Sequence, residues 1–211
     1  MTGVQTCALP ILASNSANGP ATVDAQKYNL DRTGISDTSS LFQKMIDSYP
    51  KGSVIKLPKG IYKLSDIVTL KDGMSLIADS DVVIKGTGKN TLFAAGNDNT
   101  FNGIEFQNCS VALRVLYVKG VNITNCRFTN NINYAAIDIY GAGYCTVTNS
   151  YFYNINKYGI KIDNNSSNIT IDKNYFDNPK TFGGYKDSQI AGHVYCLSGS
   201  KINVTRDRKS T

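Results

Sequence analysis

The apolar residues of this 211-residue chain recur at a nearly fixed interval over its second half. Four segments share a phenylalanine followed two residues later by an asparagine: FNGIEFQN, ITNCRFTN, VTNSYFYN and IDKNYFDN. Their phenylalanines are 22, 24 and 24 residues apart, at Phe106, Phe128, Phe152 and Phe176, and the asparagines are Asn108, Asn130, Asn154 and Asn178. The constant spacing indicates a repeated structural unit.

Two further columns of alternating apolar residues keep the same interval. The second column is Leu113/Val115, Ile137/Ile139 and Ile160/Ile162, and the third is Val121/Ile123, Cys145/Val147, Ile169/Ile171 and Ile202/Val204. Short alternating strands that recur every 22–24 residues predict an all-β fold, a parallel β-helix whose coils stack about 4.8 Å apart. Asparagine suits a tight corner of such a coil, because it tolerates left-handed backbone and its amide can bond the asparagine one coil away.

The segment before the repeats is predicted to cover the open end of the stack. Residues 36–38 (Ser-Asp-Thr) can cap a helix over about residues 38–48, in which Leu41, Phe42, Met45 and Ile46 share one face. A stack of coils exposes its core at each end, so a short N-terminal capping helix is expected there. Residues 12–27 are predicted to be a flexible leader.

Both ends of the chain resemble sequence from outside the gene. Residues 1–11 (MTGVQTCALPI) resemble the conceptual translation of a sequencing-library adapter, and residues 207–211 (DRKST) resemble the reverse complement of that adapter in another frame. We therefore expect one truncated β-helix domain over residues 28–206, flanked by adapter-derived residues.

Composition removes several kinds of site. There are 22 Asn but a single Glu (Glu105) and a single His (His193), which excludes a Glu pair and a multi-histidine metal site. The scattered cysteines form no C-x-x-C pair, so no metal site is predicted. No apolar run is long enough to span a membrane. The net charge is +6, but the lysines are dispersed and no nucleic-acid-binding module is present.

The run Ile55–Tyr62 (IKLPKGIY) matches the V-x-L-P-x-G-x-Y strand pair with which one superfamily begins its β-helix, and Asp31–Asp37 is a reduced form of that superfamily's Gly/Asp-rich turn. On these residues the chain resembles the pectate-lyase-like right-handed parallel β-helix superfamily. The resemblance implies a right-handed helix, a polysaccharide partner and an extracellular, cell-surface or virion-surface location. It also allows Ca²⁺ as a cofactor and, as in phage tail spikes, a homotrimer, but the oligomeric state stays open.

One outward column suggests a site. Residues between two inward positions of a strand face solvent, which places Arg114, Asp138, Lys161 and Tyr195 on adjacent coils. Such a column could bind an acidic sugar, with Asp138 and Lys161 as catalytic residues and Arg114 and Tyr195 as substrate-binding residues. The alternative is an ordinary solvated ladder of alternating charges. Asp163 and Asp172 are further carboxylates near this region.

A longer connection, Asn178–Ile202, suggests a second group of residues. Long loops on rigid scaffolds often hold functional groups. Its tyrosines Tyr185 and Tyr195, with Phe182, could stack on sugar rings beside His193 as a catalytic acid or base. The alternative is a surface loop that carries an incidental histidine.

Two classes of function remain. The first is a carbohydrate-active enzyme that acts on an extracellular acidic polysaccharide by lyase, hydrolase or epimerase chemistry. The second is a non-catalytic polysaccharide-binding surface or tail-spike module. Polygalacturonase-type members of the superfamily carry N-T-D, D-D, G-H-G and R-I-K motifs. In this chain only Gly192-His193 resembles one of them, so the reaction type stays open.

Overall fold

The computed structural model describes residues 19–177 and 193–209. Its α-helix is α1 (Ser39–Asp47), and a 3-10 turn covers Ala25–Lys27. The strands are β1 (Thr22–Asp24), β2 (Thr33–Asp37), β3 (Val54–Leu57), β4 (Gly60–Lys63), β5 (Val68–Thr69), β6 (Ser75–Ala78), β7 (Val82–Lys85), β8 (Thr91–Ala94), β9 (Thr100–Asn102), β10 (Glu105–Leu116), β11 (Asn122–Thr124), β12 (Arg127–Tyr140), β13 (Thr146–Thr148), β14 (Tyr151–Tyr153), β15 (Tyr158–Asp163), β16 (Ser166–Asp172), β17 (Tyr175–Asp177), β18 (Val194–Cys196), β19 (Gly199–Thr205) and β20 (Arg208–Lys209).

The strands form two sheets in which each strand pairs in parallel with strands of neighbouring coils. One sheet has the order β1-β3-β6-β9-β11-β13-β16-β19, and the other has the order β2-β4-β7-β10-β12-β14-β17-β20. The second sheet also carries β5-β8-β10 and β12-β15-β18, because the long strands β10 and β12 bend and pair at both of their ends. This arrangement confirms the predicted parallel β-helix.

The phenylalanine column lies in register inside the coils. Phe106 pairs with Phe128, Phe128 with Phe152, and Phe152 with Phe176. Their rings are nearly parallel, with centroids 5.2, 4.8 and 4.5 Å apart, and all four side chains are buried. A residue type repeated at one inward position therefore becomes a continuous aromatic stack.

The two other apolar columns are also in register. Leu113, Ile137 and Ile160 pair in sequence, and all three are fully buried. In the eight-stranded sheet, Ile171 pairs with Val204, which is 48% exposed on the last strand of that sheet. The core therefore runs through the middle of the stacked coils, as the alternating pattern predicts, and ends at the last coil, where Val204 is half exposed.

Helix α1 lies within the predicted range and covers one end of this core. Its residues Phe42, Met45 and Ile46 are fully buried, and the ring of Phe42 contacts Phe93 with centroids 5.7 Å apart. The prediction was wrong for Leu41, which is 47% exposed. The buried stripe is narrower than a four-residue face, and Leu41 lies at its border.

Two segments outside the predicted domain join the sheets. Thr22–Asp24, within the expected leader, forms β1 and pairs with β3, so this part of the leader is ordered by backbone hydrogen bonds. The rest of the leader up to residue 18 lies outside the described residues. At the other end, Arg208–Lys209 form β20 and pair with β17.

The corners of the coils use left-handed backbone. Asn108, Asn130 and Asn154 have φ of 49°, 52° and 56°, which is the conformation expected of the asparagine column. Asn178 lies outside the described residues, and a ladder of amides from coil to coil stays a prediction. A second corner repeats the same conformation at Asn125, Asn149, Lys173 and Arg206.

Three of the four cysteines that the structure describes lie in the core. Cys109, Cys126 and Cys145 are buried free thiols, and burial raises the pKa of Cys126 to about 12, so this thiol stays protonated and unreactive.

In residues 19–177 and 193–209 we find no helix with the length and apolar character that a membrane crossing requires.

Candidate functional site

The structure brings four of the predicted site residues into one row across adjacent coils. Arg114 on β10 pairs with Asp138 on β12, Asp138 with Lys161 on β15, and Lys161 with Tyr195 on β18. We call these four residues the charged column. Arg114, Asp138 and Lys161 each lie between two buried residues of their strands, so the alternation of the strand sets their direction. Tyr195 follows them in register on the last strand of the row.

Lys161 lies at the centre of this column. Its Nζ is 3.6 Å from Oδ1 of Asp138 on the preceding coil and 3.3 Å from Oδ2 of Asp163 on its own strand. The side chains of Lys161, Asp138 and Asp163 are only 13%, 14% and 18% exposed. One ammonium group thus contacts two carboxylates in a largely desolvated place, where such contacts are stronger than on an open surface.

The two carboxylates decide the protonation state of Lys161. Burial alone lowers the pKa of Lys161, but the charges of Asp138 and Asp163 outweigh burial, and the net pKa lies above the ordinary value. A lysine that acts as a general base near neutral pH needs a lowered pKa instead. The group is therefore a permanent cation that can donate hydrogen bonds.

Asp163 is held by donors from three sides. The backbone N–H of Asn164 donates to Oδ1 over 2.7 Å, and the hydroxyl of Ser198 donates to the same oxygen over 3.1 Å. The Asn164 N–H, together with Lys161 and Ser198, holds the pKa of Asp163 below its usual value. Asp163 is thus an ionised carboxylate with a fixed orientation.

Tyr134 and Tyr158 border the charged column on the N-terminal side of its strands, and Tyr158 contacts Tyr195 of the column. The rings of Tyr158 and Tyr195 stack with centroids 4.8 Å apart, and Tyr134 meets Tyr158 edge-on at 5.5 Å. The ammonium group of Lys157 lies 5.4 Å from the ring centre of Tyr134 and 5.0 Å from that of Tyr158. These contacts fix the rings and add a second cation beside the column.

Two more tyrosines border the C-terminal side. Tyr140 pairs with Asp163, and the Nζ of Lys161 lies 5.9 Å from the centre of its ring. Tyr117 meets Tyr140 edge-on with ring centroids 5.5 Å apart, and a hydrogen bond between the two side chains raises the pKa of Tyr140. The charged column therefore lies between two groups of aromatic side chains.

Arg114 differs from the other charges of the column. It pairs along the backbone with Ala94 on one side and with Asp138 on the other. Within residues 19–177 and 193–209 its guanidinium makes no ion pair, and its neighbour Asp138 contacts Lys161. Its five donors are therefore available to an anionic ligand.

Of the residues predicted from the long connection, Tyr195 lies in the charged column, whereas His193 lies at the end of the core. The ring of His193 is 5.2 Å from that of Phe176, at the end of the phenylalanine stack, and its backbone carbonyl accepts from the N–H of Ile160 over 2.8 Å. Its ring is thus in contact with a core residue. Tyr185 lies outside the described residues, as does Phe182.

The described residues do not fit the Ca²⁺ that the superfamily resemblance allows. No group of three or more His, Cys, Asp or Glu side chains in the described ranges is close enough to hold a metal ion. The two carboxylates that approach each other here do so around the ammonium of Lys161.

Sequence reasoning missed the aromatic borders. Tyr134, Tyr158, Tyr140 and Tyr117 lie on strands or corners that the repeat located, but alternation shows only which way a side chain points. Lys157 sits in the turn before β15, where the alternating pattern has no meaning. The signal in the sequence was that Tyr134 and Tyr158 recur on successive coils near the same end of the strand.

Comparison with known proteins places the chain among β-helices. A family model described as a right-handed β-helix region matches residues 61–207, which is more than half of the chain. This match confirms the predicted fold and its hand. None of the curated proteins compared with the chain matches it.

Several solved structures are similar in fold. An iota-carrageenase from A. fortis has 21% identity and a TM-score of 0.58 over 74% of this chain and 40% of its own length. A putative glycosyl hydrolase from Parabacteroides merdae has 11% identity and a TM-score of 0.53 over 89% of this chain and 95% of its own. A surface adhesin of Streptococcus pneumoniae has 16% identity and a TM-score of 0.50 over 86% of this chain and 67% of its own. The chain thus spans less than half the length of the carrageenase.

Proposed function

The chain belongs to the right-handed β-helix family, and we propose that it is an extracellular carbohydrate-active protein that binds an anionic polysaccharide along the charged column and its tyrosine borders. The supporting observation is the row from Arg114 to Tyr195 on four successive coils. A ligand with a repeating charge suits a surface that itself repeats from coil to coil.

The chemistry of the row favours an acidic sugar. Arg114 offers a planar fork of donors that fits a carboxylate or a sulfate, and Lys161 is held as a cation by Asp138 and Asp163. Tyrosine rings on both sides present apolar faces and hydroxyl groups, which are the two kinds of surface that a sugar ring also has. Charge and aromatic groups thus converge on one face.

The fold itself allows both binding and catalysis. Structures similar to this chain include an iota-carrageenase and a surface adhesin, so catalytic and adhesive proteins share the architecture. Identity of this level carries no information about substrate, and function must be argued from the site. The charged column and its tyrosine borders support binding more directly than catalysis.

A second candidate is hydrolysis of the same polysaccharide. Asp138 and Asp163 approach the same nitrogen of Lys161, and most glycoside hydrolases use two carboxyl groups beside the bond that breaks. In this candidate one carboxyl group would protonate the leaving oxygen and the other would act on a water molecule or on the sugar. A lyase in which Lys161 removes a proton is disfavoured, because the pKa of Lys161 is raised.

Affinity electrophoresis tests the proposal. The whole chain is run through gels that contain polygalacturonate, alginate, iota-carrageenan or an uncharged glucan. We expect retention in at least one anionic gel, weakened by added NaCl because exposed charges are screened. Absence of retention in every anionic gel would overturn the proposal.

Matched variants locate the binding face. Arg114→Gln removes the unpaired cation of the column, and Lys56→Gln removes an exposed cation from β3 in the other sheet. We expect Arg114→Gln to weaken binding about tenfold, as loss of a charge-assisted contact does, and Lys56→Gln to leave it nearly unchanged. Equal effects would mean that only net charge matters.

Turnover separates the two candidates. New reducing ends in the retained polysaccharide, lost in Asp163→Asn, would support hydrolysis. Retention without new reducing ends would support the binder. Unsaturated-uronate absorbance would contradict our view of Lys161 as a permanent cation.

A further inference from the structure

Tyr117 combines an unusual backbone with an exposed ring. Its φ is 54°, in the left-handed region, and the residue is 68% exposed. A bulky side chain rarely adopts this conformation, because its Cβ crowds the following carbonyl. A feature that costs stability and buries little area calls for a reason other than packing.

The corner itself does not require a tyrosine. On the next two coils the same corner is made by Gly141 and Asn164, with φ of 59° and 52°. Their N–H and carbonyl groups continue the pairing: Tyr117 N–H donates to Tyr140 O, and Gly141 N–H donates to Asp163 O. Glycine and asparagine accept this backbone at the least cost, so Tyr117 is the exception in a corner that favours them.

The ring of Tyr117 packs over Gly141 on the next coil, and we call this position the seat of the ring. A Cβ placed on Gly141 would lie 2.7 Å from both Cδ1 and Cε1 of Tyr117, closer than real Cβ contacts allow. The ring therefore rests where a side chain at position 141 would be. The ring of Tyr140 meets it at an interplanar angle of 88°, which fixes its tilt.

This seat adjoins the proposed binding face. Tyr117 follows β10, three residues after Arg114, and Tyr140 lies between it and Lys161. An exposed aromatic ring that a neighbouring ring holds in place is a surface on which the C–H face of a pyranose ring can stack.

We infer that Tyr117 forms a stacking subsite for one pyranose ring of the polysaccharide, and that Gly141 is required to seat its ring. The inference rests on the proposed function of the same face and adds a contact that does not depend on ligand charge. Tyr117 and Gly141 would thus select for a sugar face, while Arg114 selects for an anion.

Binding of variants tests this subsite. Tyr117→Asn removes the ring while keeping a residue that accepts positive φ, and Tyr117→Phe keeps the ring. The matched control is Tyr144→Asn, because Tyr144 has φ of 55° and is 67% exposed at another corner. We expect Tyr117→Asn to weaken binding about five- to tenfold, and Tyr117→Phe and Tyr144→Asn to change it little. Equal losses at Tyr117 and Tyr144 would overturn the subsite.

Gly141→Ala tests the seat without removing the ring. The added methyl group lies too close to Tyr117 and to Nδ2 of Asn164, and alanine is itself strained at φ of 59°. Binding should weaken as it does in Tyr117→Asn, and Gly141→Ala added to Tyr117→Asn should cause no further loss, because the ring that it displaces is already gone. Unchanged binding by a folded Gly141→Ala protein would contradict the role of the seat. If this variant does not fold, the Tyr117 variants decide the question.

A spectroscopic readout separates this inference from the proposed function. The ¹³C-tyrosine-labelled chain is titrated with a trigalacturonate and with a neutral gluco-oligosaccharide, and signals are assigned from Tyr117→Phe and Tyr144→Phe. Ring signals of Tyr117 should shift and those of Tyr144 should not. A shift with the neutral sugar alone would support the subsite and count against the anionic ligand. A shift of neither ring with either sugar would overturn the subsite, whether or not polysaccharide gels retain the protein.

Discussion

The ammonium nitrogen of Lys161 lies 3.6 Å from Oδ1 of Asp138 on the preceding coil, and both side chains are almost buried. The pair between Lys51 and Asp72 is shorter, at 2.7 Å, but these side chains are 70% and 40% exposed. Burial outweighs the small difference in distance, because water and salt screen the exposed pair. The two pairs therefore differ in what their loss should cost.

Removing Asp138 should destabilise the protein more than removing Asp72. In Asp138→Ala the ammonium of Lys161 stays buried with only Asp163 as a counter-ion, and we expect the free energy of unfolding to fall by about 1–3 kcal/mol. Asp72 also accepts from the backbone N–H of Asn97 over 3.0 Å, so the matched exposed variant is Asp72→Asn, which removes the charge and keeps an acceptor. It should cost clearly less than Asp138→Ala. Urea unfolding at neutral pH measures both changes, and equal losses would contradict the effect of burial.

Asp31 should make stability depend on pH in the acid range. Donation from the Thr33 hydroxyl, then from the N–H groups of Thr33 and Ser36, lowers the pKa of Asp31 from 3.8 to about 2. Because the folded state favours the ionised form, this contribution is complete above pH 3.8 and is lost as the pH falls towards 2. The difference in urea midpoint between the wild type and Asp31→Asn should therefore shrink over this range.

Titration of the carboxyl carbon by NMR checks the cause. Thr33→Val removes the hydroxyl that donates to Asp31 over 2.6 Å. The pKa of Asp31 should then move back towards its ordinary value. An unchanged pKa would assign the shift to the backbone donors alone.

Truncation of Phe152 should be among the most damaging changes in the core. Its ring is stacked on both sides, with centroids 4.8 Å from Phe128 and 4.5 Å from Phe176. Phe152→Ala should lower the free energy of unfolding by about 3–5 kcal/mol, because it removes buried area and leaves a cavity. Tyr175→Ala, on the outer side of the neighbouring coil, is the control and should cost much less. Comparable losses would show that the stack is not the main source of stability.

Replacing Lys173 by asparagine should stabilise the protein. It is exposed and has φ of 59°, at the corner where the two preceding coils have Asn125 and Asn149. Lys173→Asn should raise stability by about 0.5–1 kcal/mol, because asparagine accepts left-handed backbone more readily. Asn149→Lys should lower it by a similar amount. Thermal unfolding of both variants measures the pair, and changes of the same sign would contradict the explanation.

The apolar columns were sufficient to predict the fold and the charged column. Once Leu113, Ile137 and Ile160 are placed inward in register, Arg114, Asp138 and Lys161 must point outward on neighbouring coils. This result needs only the period of the repeat and the two-residue alternation of a strand. Both are properties of the sequence.

What the sequence could not provide is contact across corners. The ammonium group of Lys161 contacts both Asp138 and Asp163. These contacts depend on side-chain conformations, which the alternating pattern does not determine. The seat of Tyr117 on Gly141 depends on a left-handed corner, and tyrosine is a residue that normally argues against such a corner. The placement of His193 against Phe176 follows from where the chain returns after Asn178, which no periodic pattern describes.

In residues 19–177 and 193–209, each strand pairs through its backbone with strands of the coils directly before and after it. A whole coil of about two dozen residues is therefore the smallest piece that evolution can duplicate or delete without breaking the pairing scheme. Each duplication would lengthen the outer face by one strand spacing and leave helix α1 untouched. Under the proposed function, the length of polysaccharide that this face can bind would therefore increase with each coil that the gene encodes.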